Sequence, residues 1–227
     1  MVYYFDMTTL ERLRKQIEGE EFDYQTLMDA VAEYAAPRDH VSSLLRNGTV
    51  VRVKKGLYTF GESIRRKPVC RELLANLLYG PSYISLDYAL QYYNLIPERV
   101  MTLTSVSTGR SRSFDTPLGR FDYRMIPLSA FRTGMDRVEL EDGRSFLIAI
   151  PEKALADKLL CERGSDVRSL RKLQGYLEEN LRIETADLAR LNPDRIDEIA
   201  GHCRNIKVSL LARLVRQLSL KSGDIDA

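Results

Sequence analysis

The chain has 227 residues, enough for two domains, and its hydrophobic (44%) and charged (29%) fractions are those of an ordinary globular protein. No apolar run approaches the length of a membrane span, and the N-terminal residues lack the pattern of a secretion signal, so we expect a cytoplasmic protein. The three cysteines, Cys70, Cys161 and Cys203, are widely spaced without a CxxC pair, so the sequence suggests neither a disulfide framework nor a zinc ribbon. We expect three buried or half-buried thiols.

Two amphipathic segments open the chain. We predict a first helix capped by Thr8 or Thr9 and a second helix capped by Asp23, since hydroxyl and carboxylate side chains accept hydrogen bonds from a helix's free N–H groups. The apolar positions follow helical spacing: Leu10, Leu13 and Ile17 in the first helix, and Leu27, Ala30, Val31 and Tyr34 in the second.

Residues 37–60, PRDHVSSLLRNGTVVRVKKGLYTF, are typical of a short helix followed by a tight hairpin. Pro37 suits a first helical turn, and Val41, Leu44 and Leu45 form one apolar stripe. Asn47 and Gly48 then supply a left-handed stop. The β-branched residues 49–53 predict one strand and residues 57–60 the return strand, with Gly56 free to take a positive φ in the turn between them.

Positive charge is concentrated in this part of the chain. Residues 37–67 contain eight basic and two acidic side chains, a net charge of +6, whereas residues 1–36 contain three basic and eight acidic side chains, a net charge of −5. Three helices followed by a basic hairpin are the elements of a winged helix-turn-helix, which places its last helix in the major groove of DNA and its hairpin on phosphate.

The exposed positions of this predicted unit are the candidates for DNA contact. Arginines on the helix can bond guanine edges, short serines allow close approach, and cations on the hairpin can contact phosphate. His40 either faces DNA or supports packing. The alternative is a structural or protein-binding unit whose charges are merely solvated. The candidate residues are Arg38, His40, Ser42, Ser43, Arg46, Arg52, Lys54 and Lys55.

The rest of the chain predicts an α+β domain that ends in helices. A glycine, a basic triplet and Pro68 mark a connector, so we place one domain at residues 1–64 and another at 68–227. Ser85 is expected to cap a short helix. Strands are expected at residues 100–106, 113–116 and 119–126, followed by a hairpin turned by Asp142 and Gly143. Helices are expected from Pro151 onward, around residues 167–180, 185–191, 194–200 and 205–218.

Several segments resemble the AbiEi family of bacterial antitoxins from type IV toxin–antitoxin systems of abortive infection. They cover about residues 37–160 and read LLRNG and VRVKKGLY in the predicted winged helix, then YISLDYAL at 83–90, LIP at 95–97, TPLGRFDYR at 116–124 and IPEKALAD at 150–157.

The resemblance implies an N-terminal winged helix that represses the antitoxin's own operon, and a C-terminal domain needed to neutralise a nucleotidyltransferase-like toxin. It implies that operator DNA with inverted repeats is read by Arg38, Ser42, Ser43, Arg46, Arg52, Lys54 and Lys55. The toxin would be counteracted directly or indirectly. No cofactor and no metal is implied.

Catalytic patterns are weak in this sequence. A nucleotidyltransferase needs a Gly-Ser turn and nearby metal-binding carboxylates, but Gly164-Ser165 lies far from the only Asp-x-Asp, Asp224 to Asp226. The chain also has no GxSxG, P-loop or HExxH sequence. Lys153 and Asp157, four residues apart on a helix, are expected to form a solvated ion pair. We therefore expect no enzyme.

Two further basic regions have open interpretations. Residues 105–113, SVSTGRSRS, are expected to form a mobile loop, and five arginines in and after it could meet an acidic toxin surface or a second stretch of DNA, or simply keep the surface hydrated. These are Arg110, Arg112, Arg120, Arg124 and Arg132. Residues 200–222 carry five basic and no acidic side chains, which fits either a binding surface or a solvated helix face.

The favoured hypothesis is therefore an autoregulating DNA-binding antitoxin. The alternative is a dedicated winged-helix transcription factor whose second domain senses a ligand.

Overall fold

The computed structural model describes residues 7–163 and 166–223. The capping side chains expected at Thr8 and Thr9, the Gly164-Ser165 turn and the Asp224 to Asp226 carboxylates lie outside the residues whose side chains are described. Contacts divide the chain into two compact units. The first unit consists of the chain up to Leu78 together with the short segment Thr116–Leu118. The second unit consists of Tyr79–Asp115 and the residues from Gly119 onward. The boundary expected at residues 64–68 lies before the helix Arg71–Leu78, whereas the observed boundary lies after that helix.

From residue 7 onward, the first unit contains four helices and a three-stranded sheet. Its elements in chain order are α1 (Met7–Gln16), β1 (Glu21–Asp23), α2 (Tyr24–Ala30), α3 (Pro37–Arg46), β2 (Val50–Lys54), β3 (Leu57–Phe60) and α4 (Arg71–Leu78). The strands are antiparallel in the order β1-β3-β2. Asp23 caps α2 as expected, with Oδ1 accepting a hydrogen bond of 2.8 Å from the N–H of Thr26.

One hydrophobic core joins α1, α2 and α3 to the sheet. The helical spacing read from the sequence brings Leu13, Leu27 and Leu44 together at 0–1% exposure. On the sheet, Phe22 and Phe60 pack with ring centroids 4.8 Å apart. Because every residue of β3 is buried, this central strand fixes the position of the hairpin that it forms with β2.

The second unit contains a mixed six-stranded sheet. The elements up to its last strand are β4 (Ser82–Ile84), α5 (Leu86–Tyr92), β5 (Leu103–Ser107), β6 (Arg112–Thr116), β7 (Gly119–Met125), α6 (Leu128–Phe131), β8 (Met135–Glu139) and β9 (Ser145–Ala149). The strand order is β6-β7-β5-β4-β9-β8. β5 is parallel to β7 and β4 to β9, whereas β4 is antiparallel to β5 and β8 to β9. A mixed sheet followed by a run of helices confirms the expected α+β class.

Helices complete the second unit. They are α7 (Pro151–Cys161), α8 (Leu170–Gly175), a π-helix (Tyr176–Asn180), α9 (Thr185–Ala189), α10 (Pro193–Cys203) and α11 (Ile206–Gly223). The helix expected at residues 167–180 thus begins later, at Leu170, and its second half is the π-helix. The described ranges contain no helix that is both long and apolar enough to cross a membrane.

One local expectation is wrong because tertiary pairing decides it. The predicted mobile loop at 105–113 is mostly sheet, since β5 runs to Ser107 and β6 starts at Arg112. Ser105 and Ser107 are buried, at 0% and 1% exposure. The hairpin at Asp142 and Gly143 is confirmed, with Gly143 at φ +84°.

Candidate nucleic-acid interface

Helix α3 has one apolar and one polar side, as its sequence predicts. Pro37 occupies its first turn, and Val41 and Leu44 are buried in the core of the first unit. Side chains four residues apart lie on the same side of a helix, so Arg38, Ser42 and Arg46 form a line opposite this apolar stripe. All three are exposed, as is Ser43. Ser42 turns its hydroxyl to its own helix and donates to the carbonyl oxygen of Arg38 at 2.9 Å.

His40 supports packing at the start of α3. Its ring stacks on that of Tyr34, with centroids 3.9 Å apart and planes 12° apart. Burial lowers the pKa of His40 below its usual value, so the ring is neutral near pH 7. Of the two roles open to His40 from the sequence, the geometry favours the packing one: the stack braces the turn that leads into α3.

The hairpin that follows α3 is positioned by its buried face and its turn. Gly56 has φ +91°, the conformation expected for it, and Val53 is 5% exposed. Arg52 and Lys55 are exposed. Lys54 differs from them, because it is only half-exposed and its ammonium donates to the carbonyl oxygen of Leu78, at the end of α4. A cation suits this position, since the last carbonyls of a helix carry partial negative charge.

Four cations of this region lack an internal counter-ion. Arg38, Arg46, Arg52 and Lys55 form no ion pair within the described part of the chain, although acidic residues outnumber basic ones in residues 1–36. Like charges left without counter-ions have an electrostatic cost that a polyanion would remove. The arrangement can therefore bind a chain of phosphates.

A buried polar cluster in the second unit overturns one expectation. The Lys153–Asp157 pair was expected to be solvated, but both side chains are 0% exposed. The Asp157 carboxylate accepts hydrogen bonds from the Lys153 ammonium, from Tyr83 Oη at 3.0 Å and from Ser85 Oγ at 2.8 Å. Burial is the main cause that raises the pKa of Asp157, and the Lys153 ammonium opposes it. This cluster reaches no solvent and is structural.

The same cluster corrects the prediction for Ser85. Ser85 is the residue before α5 but makes no side-chain cap, because its hydroxyl is committed to Asp157. Thr104 on β5 caps this helix instead: Oγ1 accepts from the N–H of Tyr88 at 3.0 Å and donates to the carbonyl oxygen of Ser85 at 2.7 Å. One signal could have revealed the buried pair. The residues between and after Lys153 and Asp157 include Ala154, Leu155, Ala156 and Leu159, an apolar content that is typical of a buried helix.

The five arginines of the second unit are all exposed but are not one cluster. Four lie on or beside the β6–β7 hairpin, and Arg132 follows α6. Arg120 contacts Asp122 at 3.1 Å, and Arg112 lies over the ring of Tyr79 at 5.5 Å. Arg124 lines an open cleft of about 560 Å³, together with Asp87, Ser111, Lys158 and Cys161.

The described residues contain no group of three or more histidine, cysteine or carboxylate side chains that could hold a metal ion. Burial raises the pKa of the Cys161 thiol to about 11, which keeps it protonated and unreactive near neutral pH. All three cysteines are free thiols, buried at Cys70 and Cys203 and half-buried at Cys161, as expected. No protein-family model and no curated protein matches this chain.

Proposed function

We propose that the first unit is a winged helix that binds double-stranded DNA, with α3 in the major groove and the β2–β3 hairpin on the flanking backbone. The observation that carries the proposal is the set of four unpaired cations on α3 and the hairpin, Arg38, Arg46, Arg52 and Lys55. The order of elements supports it, since three helices precede the hairpin. Arg38 and Arg46 would read bases, and Arg52 and Lys55 would hold phosphates.

The biological role that we propose is that of an autoregulating antitoxin. The protein would bind inverted repeats upstream of its own gene, repress that operon and counteract a nucleotidyltransferase-like toxin. The support is the resemblance of residues 37–160 to AbiEi antitoxins. In the second unit, the resembling segments YISLDYAL and IPEKALAD supply the Tyr83, Ser85, Lys153 and Asp157 side chains of the buried cluster.

The decisive experiment is footprinting on DNA from upstream of the gene. Wild-type protein should protect an inverted repeat, and the Arg38→Ala/Arg46→Ala variant should lose that protection. The matched control is Arg171→Ala/Arg195→Ala, which removes the same charge from exposed positions of the second unit. If the α3 variant protects the site as well as the control does, α3 is not the recognition helix.

The antitoxin role requires a separate test. A nucleotidyltransferase-like gene adjacent to this one should arrest growth when expressed alone, and co-expression of this chain should restore growth. We propose a binding protein rather than an enzyme. Divalent-metal-dependent turnover of nucleotides by the purified chain would contradict that assignment.

The open cleft of the second unit favours one other function. A transcription factor with a ligand-sensing second unit would use such a cleft, where the exposed guanidinium of Arg124 has no ion-pair partner within the described ranges. A small anion that fills the cleft and releases the protein from its operator would support this function. Arg124→Gln should then abolish the release without weakening DNA binding.

A further inference from the structure

The connector after the hairpin is held by a buried carboxylate. One oxygen of Glu20 accepts hydrogen bonds from the backbone N–H groups of Arg66, at 3.0 Å, and Lys67, at 3.2 Å. Its other oxygen accepts from the Arg14 guanidinium at 2.8 Å. Glu20 is 2% exposed, so these contacts are shielded from water. The connector expected from its glycine, basic triplet and proline is therefore fixed in place rather than a free linker.

Arg14 holds the same segment from a second direction. Its Nε and one terminal nitrogen donate to the carbonyl oxygen of Ile64, at 3.1 and 2.6 Å. The guanidinium also lies 3.8 Å above the centroid of the Phe60 ring, and the residue is 7% exposed. A buried ion pair contributes little net stability, because the loss of hydration offsets the attraction. The hydrogen bonds of Arg14 to Glu20 and to Ile64 nevertheless define where the connector backbone lies.

The connector starts beside the end of α3. The N–H of Gly61 donates to the carbonyl oxygen of Thr49 at 2.8 Å, and a Cβ atom at Gly61 would lie 1.8 Å from the carbonyl oxygen of Gly48. Gly48 and Thr49 link α3 to β2. The backbone of the connector is thus attached to the segment between α3 and β2, from which both α3 and the hairpin extend.

Only the backbone of Arg66 and Lys67 is used in these contacts with Glu20. Their side chains are exposed. Arg65 is half-buried, and its Nε has no hydrogen-bond partner within the described part of the chain. The molecule therefore has a short strap of positive charge, residues 65–67, with an immobilised backbone.

We propose that this strap is a third DNA-backbone contact, in which Arg66 and Lys67 each bind one phosphate and Glu20 is a positioning residue. The inference rests on the proposed function, because it extends the same interface. Its physical basis is preorganisation: a phosphate contact made by a segment that is already ordered avoids the entropic cost of ordering it on binding. Phosphate contacts of this kind strengthen binding to every DNA sequence alike.

The test is the salt dependence of DNA binding by full-length protein, with a fluorescently labelled short duplex of arbitrary sequence as the probe. Arg66→Gln/Lys67→Gln leaves both backbone N–H donors in place, so the hydrogen bonds to Glu20 are kept. The slope of log K against log salt should fall by about two units relative to wild type, one for each lost phosphate contact. Arg171→Gln/Arg195→Gln, which removes equal charge from the second unit, should keep the wild-type slope.

The possible failures are distinguishable. If the wild-type protein binds the duplex, Arg38→Ala/Arg46→Ala weakens that binding, and Arg66→Gln/Lys67→Gln keeps the wild-type slope, the strap is not a DNA contact and the proposed function stands. If wild-type protein does not bind the duplex at low salt, both proposals fall. Amide hydrogen exchange checks the positioning role of Glu20: the Arg66 and Lys67 amides should exchange slowly in the free protein, and rapid exchange would contradict it.

Discussion

Ser85 donates a hydrogen bond of 2.8 Å to Asp157 across 72 positions of the sequence. Tyr83 donates to the same carboxylate oxygen, and two residues after Ser85 the Asp87 carboxylate pairs with Lys158 at 2.7 Å. The segment around β4 is thus joined to α7 by two buried hydrogen bonds and one partly exposed ion pair. These links hold the second unit together at the two segments that the family resemblance singles out.

The first prediction concerns the buried pair in this cluster. Asp157→Ala should lower the free energy of unfolding by about 3–5 kcal/mol, because it leaves the Lys153 ammonium buried without a counter-ion. Urea denaturation measures the change. Lys158→Gln is the matched control, since it breaks a partly exposed pair and should cost only about 0.2–1 kcal/mol. Lys153→Met/Asp157→Leu removes the unpaired charge and should restore part of the loss, since the buried Tyr83 and Ser85 hydroxyls still lack their acceptor. A double variant as unstable as Asp157→Ala would contradict the argument.

The second prediction concerns the carboxylate that holds the connector. Glu20→Ala should cost about 3–5 kcal/mol, because Arg14 is then buried without its counter-ion and two backbone N–H groups lose their acceptor. Glu18→Ala, at an exposed position of the same turn, should change the stability by less than about 0.5 kcal/mol. If urea denaturation gave the same free energy of unfolding for the two variants, the buried contacts of Glu20 would not contribute to stability.

The third prediction compares Gly56, in the turn of the hairpin, with Gly61, at the start of the connector that follows it. Gly61→Ala should cost about 3 kcal/mol, because the new Cβ would overlap the backbone carbonyl of Gly48. Gly56→Ala should cost about 1–2 kcal/mol, because φ is +91° there but no atom lies within 4 Å of the new Cβ. Thermal unfolding of the two variants gives the order, and the reverse order would refute the close approach at Gly61.

The fourth prediction is a pH dependence set by His40. Burial lowers its pKa, so the unfolded state binds the proton more tightly than the folded state does. The first unit should therefore have its full stability above the unfolded pKa of about 6.5 and lose stability as the pH falls towards the folded pKa. His40→Phe preserves a ring for the stack on Tyr34 and should reduce this loss. The measurement is the difference in thermal midpoint between about pH 7.5 and about pH 5.5 for the two proteins.

The fifth prediction separates neighbouring lysines of the hairpin. Lys55→Gln should lower the salt slope of DNA binding by about one unit, because its exposed ammonium is free to contact phosphate. Lys54→Gln should have a smaller effect on that slope, because its ammonium is bonded to the carbonyl oxygen of Leu78. Its main effect should be a lower thermal midpoint. Equal slopes for the two variants would contradict this division of roles.

Local chemistry explains what could be predicted. The bounds of α3, the cap at Asp23 and the turns at Gly56 and Gly143 were correct, because each depends on the φ preference or hydrogen-bonding capacity of one or two residues. The exposed positions of Arg38 and Arg46 followed from helical spacing alone. Lys54 could not be told from Lys55, because only the distant Leu78 carbonyl distinguishes them.

Apart from β1, which forms by pairing with β3, the sequence by itself determined the order of helices and strands up to the end of the hairpin in the first unit, and the excess of positive charge on residues 37–67. Both depend on neighbours in the chain, where periodicity, turn residues and charge can be read directly. Only the tertiary structure decided the role of individual polar side chains. In the fold, Lys153 and Asp157 are buried together, and Ser85 donates to Asp157 instead of capping its helix. Residues 64–67 are hydrogen-bonded to Arg14 and Glu20. The physical reason is that a polar group removed from water must find its partner inside the fold, and that partner is usually far away in the sequence.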